Sequence, residues 1–108
     1  MLDLVSQAVT GTGSDIDVEL GFTPSYVKVI NRTQATMLEW VQGMGDDNGI
    51  EYASGGGLTS VTSDGITALS TSSVQTTDPV TVTGFNGFQI PAAFQSDGDE
   101  LYYIAARN

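Results

Sequence analysis

Oxygen ligands gather at two places in the chain, Asp46-Asp-Asn-Gly-Ile-Glu51 and Asp97-Gly-Asp-Glu100. Carboxylates and amide carbonyls crowded around a glycine turn are the donor set a hard cation such as Ca2+ takes. The first run departs from an EF-hand loop, because Ile50 occupies a ligand position and the twelve-residue frame is missing. The second run has the same weakness, and both read as solvated β turns. Paired Asp and Glu residues could also act as acid and base in glycoside hydrolysis. Most of the acids here, however, fall in turns or on the outer side of an alternating strand, where hydration accounts for them. Trp40, Tyr52, Tyr102 and Tyr103 could stack on sugar rings, although aromatic side chains on strands more commonly fill a core or a subunit interface. Asn31-Arg-Thr33 matches a glycosylation acceptor; with no secretion signal it reads as a hairpin loop.

The 108 residues include no His and no Cys. That excludes Ser-His-Asp and Cys-His nucleophile systems, disulfide scaffolds and thiolate metal sites. No remaining motif carries a reaction mechanism, so the expectation is a non-enzymatic protein with no cofactor, no metal and no catalytic residue. Thirteen acids oppose Lys28, Arg32 and Arg107, a formal charge of −10. A surface this negative repels phosphate backbones, which argues against a nucleic-acid partner. Met1-Leu-Asp-Leu-Val-Ser lacks the basic flank and apolar core of a secretion signal, and no apolar run reaches bilayer length. A soluble protein made in a cytoplasm, without a membrane partner, is expected.

The elements that would hold these residues have period two. Asp15-Ile-Asp-Val-Glu-Leu20 alternates, with Ile16, Val18 and Leu20 on one face and three acids on the other, as in a half-buried antiparallel strand. Residues 21–25 turn the chain, with Pro24 outside any central ladder. Residues 26–31 form a β-branched and aromatic strand, 31–35 a hairpin loop, and 36–42 the returning strand. Residues 43–49 and 54–57 are glycine-rich loops around a short edge strand at 50–53. Residues 58–61 and 65–70 suggest a hairpin across Thr62-Ser-Asp-Gly65, since Asp-Gly favours tight turns. Residues 71–78 are polar and loop-like, and Val80 and Val82 mark another strand. Residues 88–94 are interrupted by Pro91, and 97–100 turn into a last strand at 101–106. About eight short strands predict an all-β fold: one small antiparallel β-sandwich or barrel-like domain over 14–108. Residues 1–13 read either as an N-terminal arm with a glycine hinge or as the first strand of that domain.

Val18-Glu-Leu-Gly-Phe-Thr-Pro-Ser-Tyr-Val-Lys-Val-Ile-Asn-Arg-Thr33, followed by Glu39-Trp40 and Gly43-Met44, resembles the opening of small virion proteins of tailed bacteriophages. Gly87-Phe-Gln-Ile90 and Leu101-Tyr-Tyr-Ile-Ala105 resemble their close; together these touch about half the chain. The resemblance rests on turns and strands. It implies a head decoration (cement) protein that binds the major capsid protein on the outer surface of the virion and stabilises the shell. A homo-oligomer, a trimer first, would follow. In that setting Leu2, Leu4, Val5 and Val9 are candidates for docking onto a capsid subunit by strand addition. Trp40, Tyr102 and Tyr103 are candidates for a subunit interface. The alternative is a carbohydrate- or receptor-binding module of a tail fibre or spike.

Overall fold

The structure, a computed structural model, describes residues 3–70, 74–75, 82–83 and 86–107. It is all-β, as the alternating pattern requires. Ten strands occur among the described residues: β1 (Asp3–Thr10), β2 (Ile16–Glu19), β3 (Tyr26–Asn31), β4 (Thr36–Val41), β5 (Asn48–Tyr52), β6 (Leu58–Ser70), β7 (Val74–Gln75), β8 (Val82–Thr83), β9 (Asn86–Ile90) and β10 (Glu100–Arg107). Eight of them form one antiparallel sheet in the order β1-β10-β3-β4-β5-β6-β9-β2, and β7 pairs with β8 separately.

That order forces curvature. β1 and β2 are consecutive in sequence but occupy opposite edges of the sheet. In a flat eight-stranded sheet the edges would stand roughly 34 Å apart at about 4.8 Å per strand. The link from Thr10 to Ile16 spans at most roughly 20 Å when fully extended. The sheet therefore curls, bringing the inner faces of its two halves together over one core. Val27, Val29, Leu38, Trp40, Leu101, Tyr103 and Ala105 come from one half, and Val18, Phe88 and Ile90 from the other. Phe88 and Tyr103 meet edge to face at 5.3 Å between ring centres.

β6 joins the two halves. Its first part pairs with β5 and its last four residues with β9. Between them Asn48 pairs with Ile66 while Gly49 pairs with Val61, so residues 62–65 bulge out of the ladder. The Thr62-Ser-Asp-Gly65 hairpin expected from the sequence is thus a bulge in one continuous strand. Asp64 takes the positive φ of 61° that the dipeptide favours. Gly65 is needed for space: a Cβ there would lie 2.2 Å from the Asn48 carbonyl oxygen. A bulge of this kind bends a strand without reversing it. A second correction concerns 50–53, expected at an edge: β5 lies between β4 and β6, inside the sheet. The polar 71–78 segment and the Val80 strand fall largely outside the described residues.

Closure is fastened by buried polar groups. One carboxylate oxygen of Asp99, Oδ2, accepts hydrogen bonds from Asn31 Nδ2 (2.9 Å), Gln34 Nε2 (2.6 Å) and the Ser96 N–H (2.9 Å). Asn31 Nδ2 also donates to the Phe94 carbonyl, and Asn31 Oδ1 accepts from the Gln34 N–H. Asn31 is fully buried by these contacts, which removes it as a glycosylation acceptor. Next to it, Gln95 Oε1 accepts from the Thr12 and Gly13 N–H groups, tying the β1–β2 link to the turn before β10. Gly11 exchanges hydrogen bonds with Asp99 and Gly98, closing the same junction.

Two outcomes test this architecture. Trp40 is 1% exposed and its Nε1–H donates to the Gly45 carbonyl, so Trp40→Ala should lower stability by about 3–5 kcal/mol in urea melts. The hydrogen bonds from Asn31, Ser96 and Gln34 hold the Asp99 carboxyl below its ordinary range. A depressed folded-state value contributes stability above about pH 4 that is lost as pH falls through it. Asp99→Asn should therefore be the less stable protein at pH 7, with the gap to wild type narrowing as urea melts move below about pH 4.

Candidate functional site

Alternation gives the curled sheet a second face, turned away from the core. On β10 it carries Tyr102, Ile104 and Ala106; on β3, Tyr26, Lys28 and Ile30; on β4, Met37, Glu39 and Val41. β5 adds Ile50 and Tyr52, β6 adds Leu58 and Ser60, and β1 adds Leu4, Ser6 and Ala8. Five large apolar side chains are well exposed among the described residues, and four of them, Leu4, Val41, Leu58 and Tyr102, lie here. The fifth, Met44, sits in the short 3-10 turn Gln42–Met44 just past β4. Six strands at sheet spacing make a face of roughly 600 Å2, with its exposed apolar side chains distributed around a polar centre.

The centre of this face is polar but internally matched. Glu39 accepts hydrogen bonds from the Tyr26 hydroxyl on Oε2 (2.7 Å) and the Tyr52 hydroxyl on Oε1 (2.9 Å). Lys28 stands directly opposite it across the β3–β4 pair. The two tyrosine donors, with a smaller attraction from Lys28, hold the Glu39 carboxyl below its ordinary range. Burial, reinforced by the hydrogen bond to Glu39, pushes the Tyr26 hydroxyl up to about 12. At the margin Arg32 pairs with Glu100 at 3.1 Å, and the Tyr102 hydroxyl donates to the same carboxylate. Among the described side chains Lys28 against Glu39 and Arg32 against Glu100 leave the face neutral, on a chain whose net charge is −10.

The site residues expected from sequence separate on this geometry. Trp40 and Tyr103 are core residues of this chain, 1% and 4% exposed, because inward positions alternate with outward ones. They are unavailable to a partner surface, and they cannot join a sugar-stacking platform with Tyr52 and Tyr102. Tyr102 is on the outside. Of the segment read as arm or first strand, Asp3–Thr10 forms β1 and pairs with β10 along that strand. Leu4 is on the outer face, while Val5 and Val9 face inward and are half-buried against the core. Leu2 lies outside the described residues. The Tyr26–Glu39–Tyr52 cluster was not anticipated; only the cross-strand register of β3, β4 and β5 brings those three together.

No group of three or more acidic residues that could hold a metal ion occurs among the described residues. A cleft of about 220 Å3 opens beside the bulge, with Leu38, Val61 and Phe94 as its apolar floor and Glu51, Ser63 and Asp64 at its mouth. Ligand pockets for small molecules commonly run from about 300 Å3 upward. Compared with protein-family models, with curated proteins and with solved structures, the chain matches none.

The cluster has a pH signature. A tyrosine whose folded-state value is raised keeps its stability contribution below its ordinary value near 10 and loses it as pH climbs toward about 12. Wild type should lose stability over that interval in alkaline melts, and Tyr26→Phe should lose measurably less, with tyrosinate absorbance following the ionisation.

Proposed function

We propose that the chain is a non-enzymatic structural subunit of a tailed-phage virion, of the head-decoration type. It lays the outer face of its sheet on the major capsid protein and stabilises the shell from outside. The observation that carries this reading is the face itself: broad, apolar at its rim and electrically neutral, on a chain that is otherwise strongly acidic. Such a surface carries no net charge and Glu39 already has its donors, so a partner that covers it has to supply an acceptor only for the Lys28 ammonium. The acidic remainder would point to solvent, away from packaged DNA. The resemblance of both ends of the chain to small phage virion proteins supplies the identity of the partner.

Purified phage heads provide the test, by co-sedimentation and by the temperature at which the heads open. Val41 and Leu58 are 42% and 66% exposed, so Val41→Glu and Leu58→Glu should melt like wild type. Each should weaken head binding by roughly ten-fold or more, while Thr62→Glu on the bulge leaves it unchanged. Wild-type protein that neither sediments with heads nor protects them would overturn the reading.

A further inference from the structure

β1 is an edge strand with an open side. It is eight residues long, unbulged, and its outer edge meets no backbone hydrogen-bonding partner among the described residues. Soluble proteins ordinarily defend such an edge with lysine, proline, a bulge or a covering loop. Leu4-Val-Ser-Gln-Ala-Val-Thr10 has no charge, no proline and no glycine. Val5 and Val9 point inward yet are only half-buried, and no strand among the described residues lies beyond them to complete the layer.

We propose that this edge is closed by β1 of a second copy, antiparallel and centred on Gln7. The sequence is self-complementary in that register. Val5 falls opposite Val9 of the partner subunit, Ser6 opposite Ala8 of the partner subunit, and Gln7 opposite Gln7 of the partner subunit. The inner row then reads valine, glutamine, valine from both directions, and both half-open valines are covered. Gln7 accepts a hydrogen bond from the Tyr103 hydroxyl on Oε1, which leaves its amide N–H groups for the equivalent glutamine. The contact is isologous. It uses an uncharged stretch of a chain whose charge of −10 would oppose contact through most other surfaces. Pairing would also run the outer faces of the two copies into one continuous surface, doubling the area available for docking. A two-fold contact yields even-numbered assemblies, in place of the trimer expected from the sequence. Copies pair this way without a shell, so failure here and failure to bind heads are separate results.

The native chain has no cysteine, which permits a direct measurement on isolated protein without heads. Directly opposite residues in an antiparallel pair have Cα atoms roughly 4.5–5.5 Å apart, inside the range a disulfide spans. Gln7→Cys should form a covalent dimer under mild oxidation roughly ten-fold or more faster than Ser6→Cys, whose equivalents are displaced diagonally. Light scattering of wild type should give twice the 11.3 kDa chain mass. Ser6→Lys with Ala8→Lys sets lysine against lysine and should dissociate the pair. Ser6→Glu with Ala8→Lys sets opposite charges together in the same register and should retain it. A monomeric or trimeric wild type, equal cross-linking at the two positions, or the same mass for both double variants would overturn the proposal.

Discussion

The buried Asp99 carboxylate is the constraint around which the rest of the molecule is arranged. It sits where three stretches of chain distant in sequence converge: the β3–β4 hairpin through Asn31 and Gln34, the turn before β10 through Ser96, and the β1–β2 link through Gly11. A charge in that position is tolerated only because donors surround it: the β3–β10 pairing, which sets Asn31 against Leu101, brings Asn31 and Gln34 to it, and its own turn supplies Ser96. The curl in turn brings Phe88 and Ile90 over Trp40, Leu38 and Tyr103. Apolar burial supplies most of the driving force, and the polar junction selects which curled arrangement it produces.

The same curl divides the surface into two chemical regimes. Strand alternation sends Val27, Val29, Leu38 and Trp40 inward and Tyr26, Lys28, Met37 and Glu39 outward, so the strands that build the core also build the outer face. That face is matched in charge and capped in hydrogen bonds, whereas the turns and the β2 flank carry the acids. On the proposed docking role, this polarity would set which side meets the partner and which meets solvent. The edge at β1 adds the direction along which the proposed pairing of copies would extend the surface.

Much of this was legible in the chain. The strict alternation of Asp15–Leu20 marks β2 and its buried side, and the residues flanking 32–35 mark the β3–β4 hairpin. Pro91 ends β9 as its missing donor requires, and Asp97-Gly98 turns the chain into β10. The Asp64-Gly65 pair was legible as a special conformation but not as a bulge. A positive φ is a local preference, whereas continuing or reversing the chain depends on whether β5 and β9 both offer edges to β6. The outward position of Tyr102 and the inward position of Tyr103 could not be told apart from residue type, since both are tyrosines on one strand.

By itself, the sequence determined the class of fold, most strand positions, the absence of histidine and thiol chemistry, and the sign and size of the net charge. These depend on composition and on contacts between residues near in sequence. Tertiary structure alone decided the strand order, the curl, the meeting of Tyr26, Tyr52 and Glu39, the burial of Asn31 and Asp99, and the unprotected edge at β1. Each of those depends on which distant strands become neighbours. That choice is made by the whole sheet burying its apolar face while satisfying nearly all the polar groups it encloses, Thr36 Oγ1 being the exception among the described residues, and no local stretch of residues encodes it.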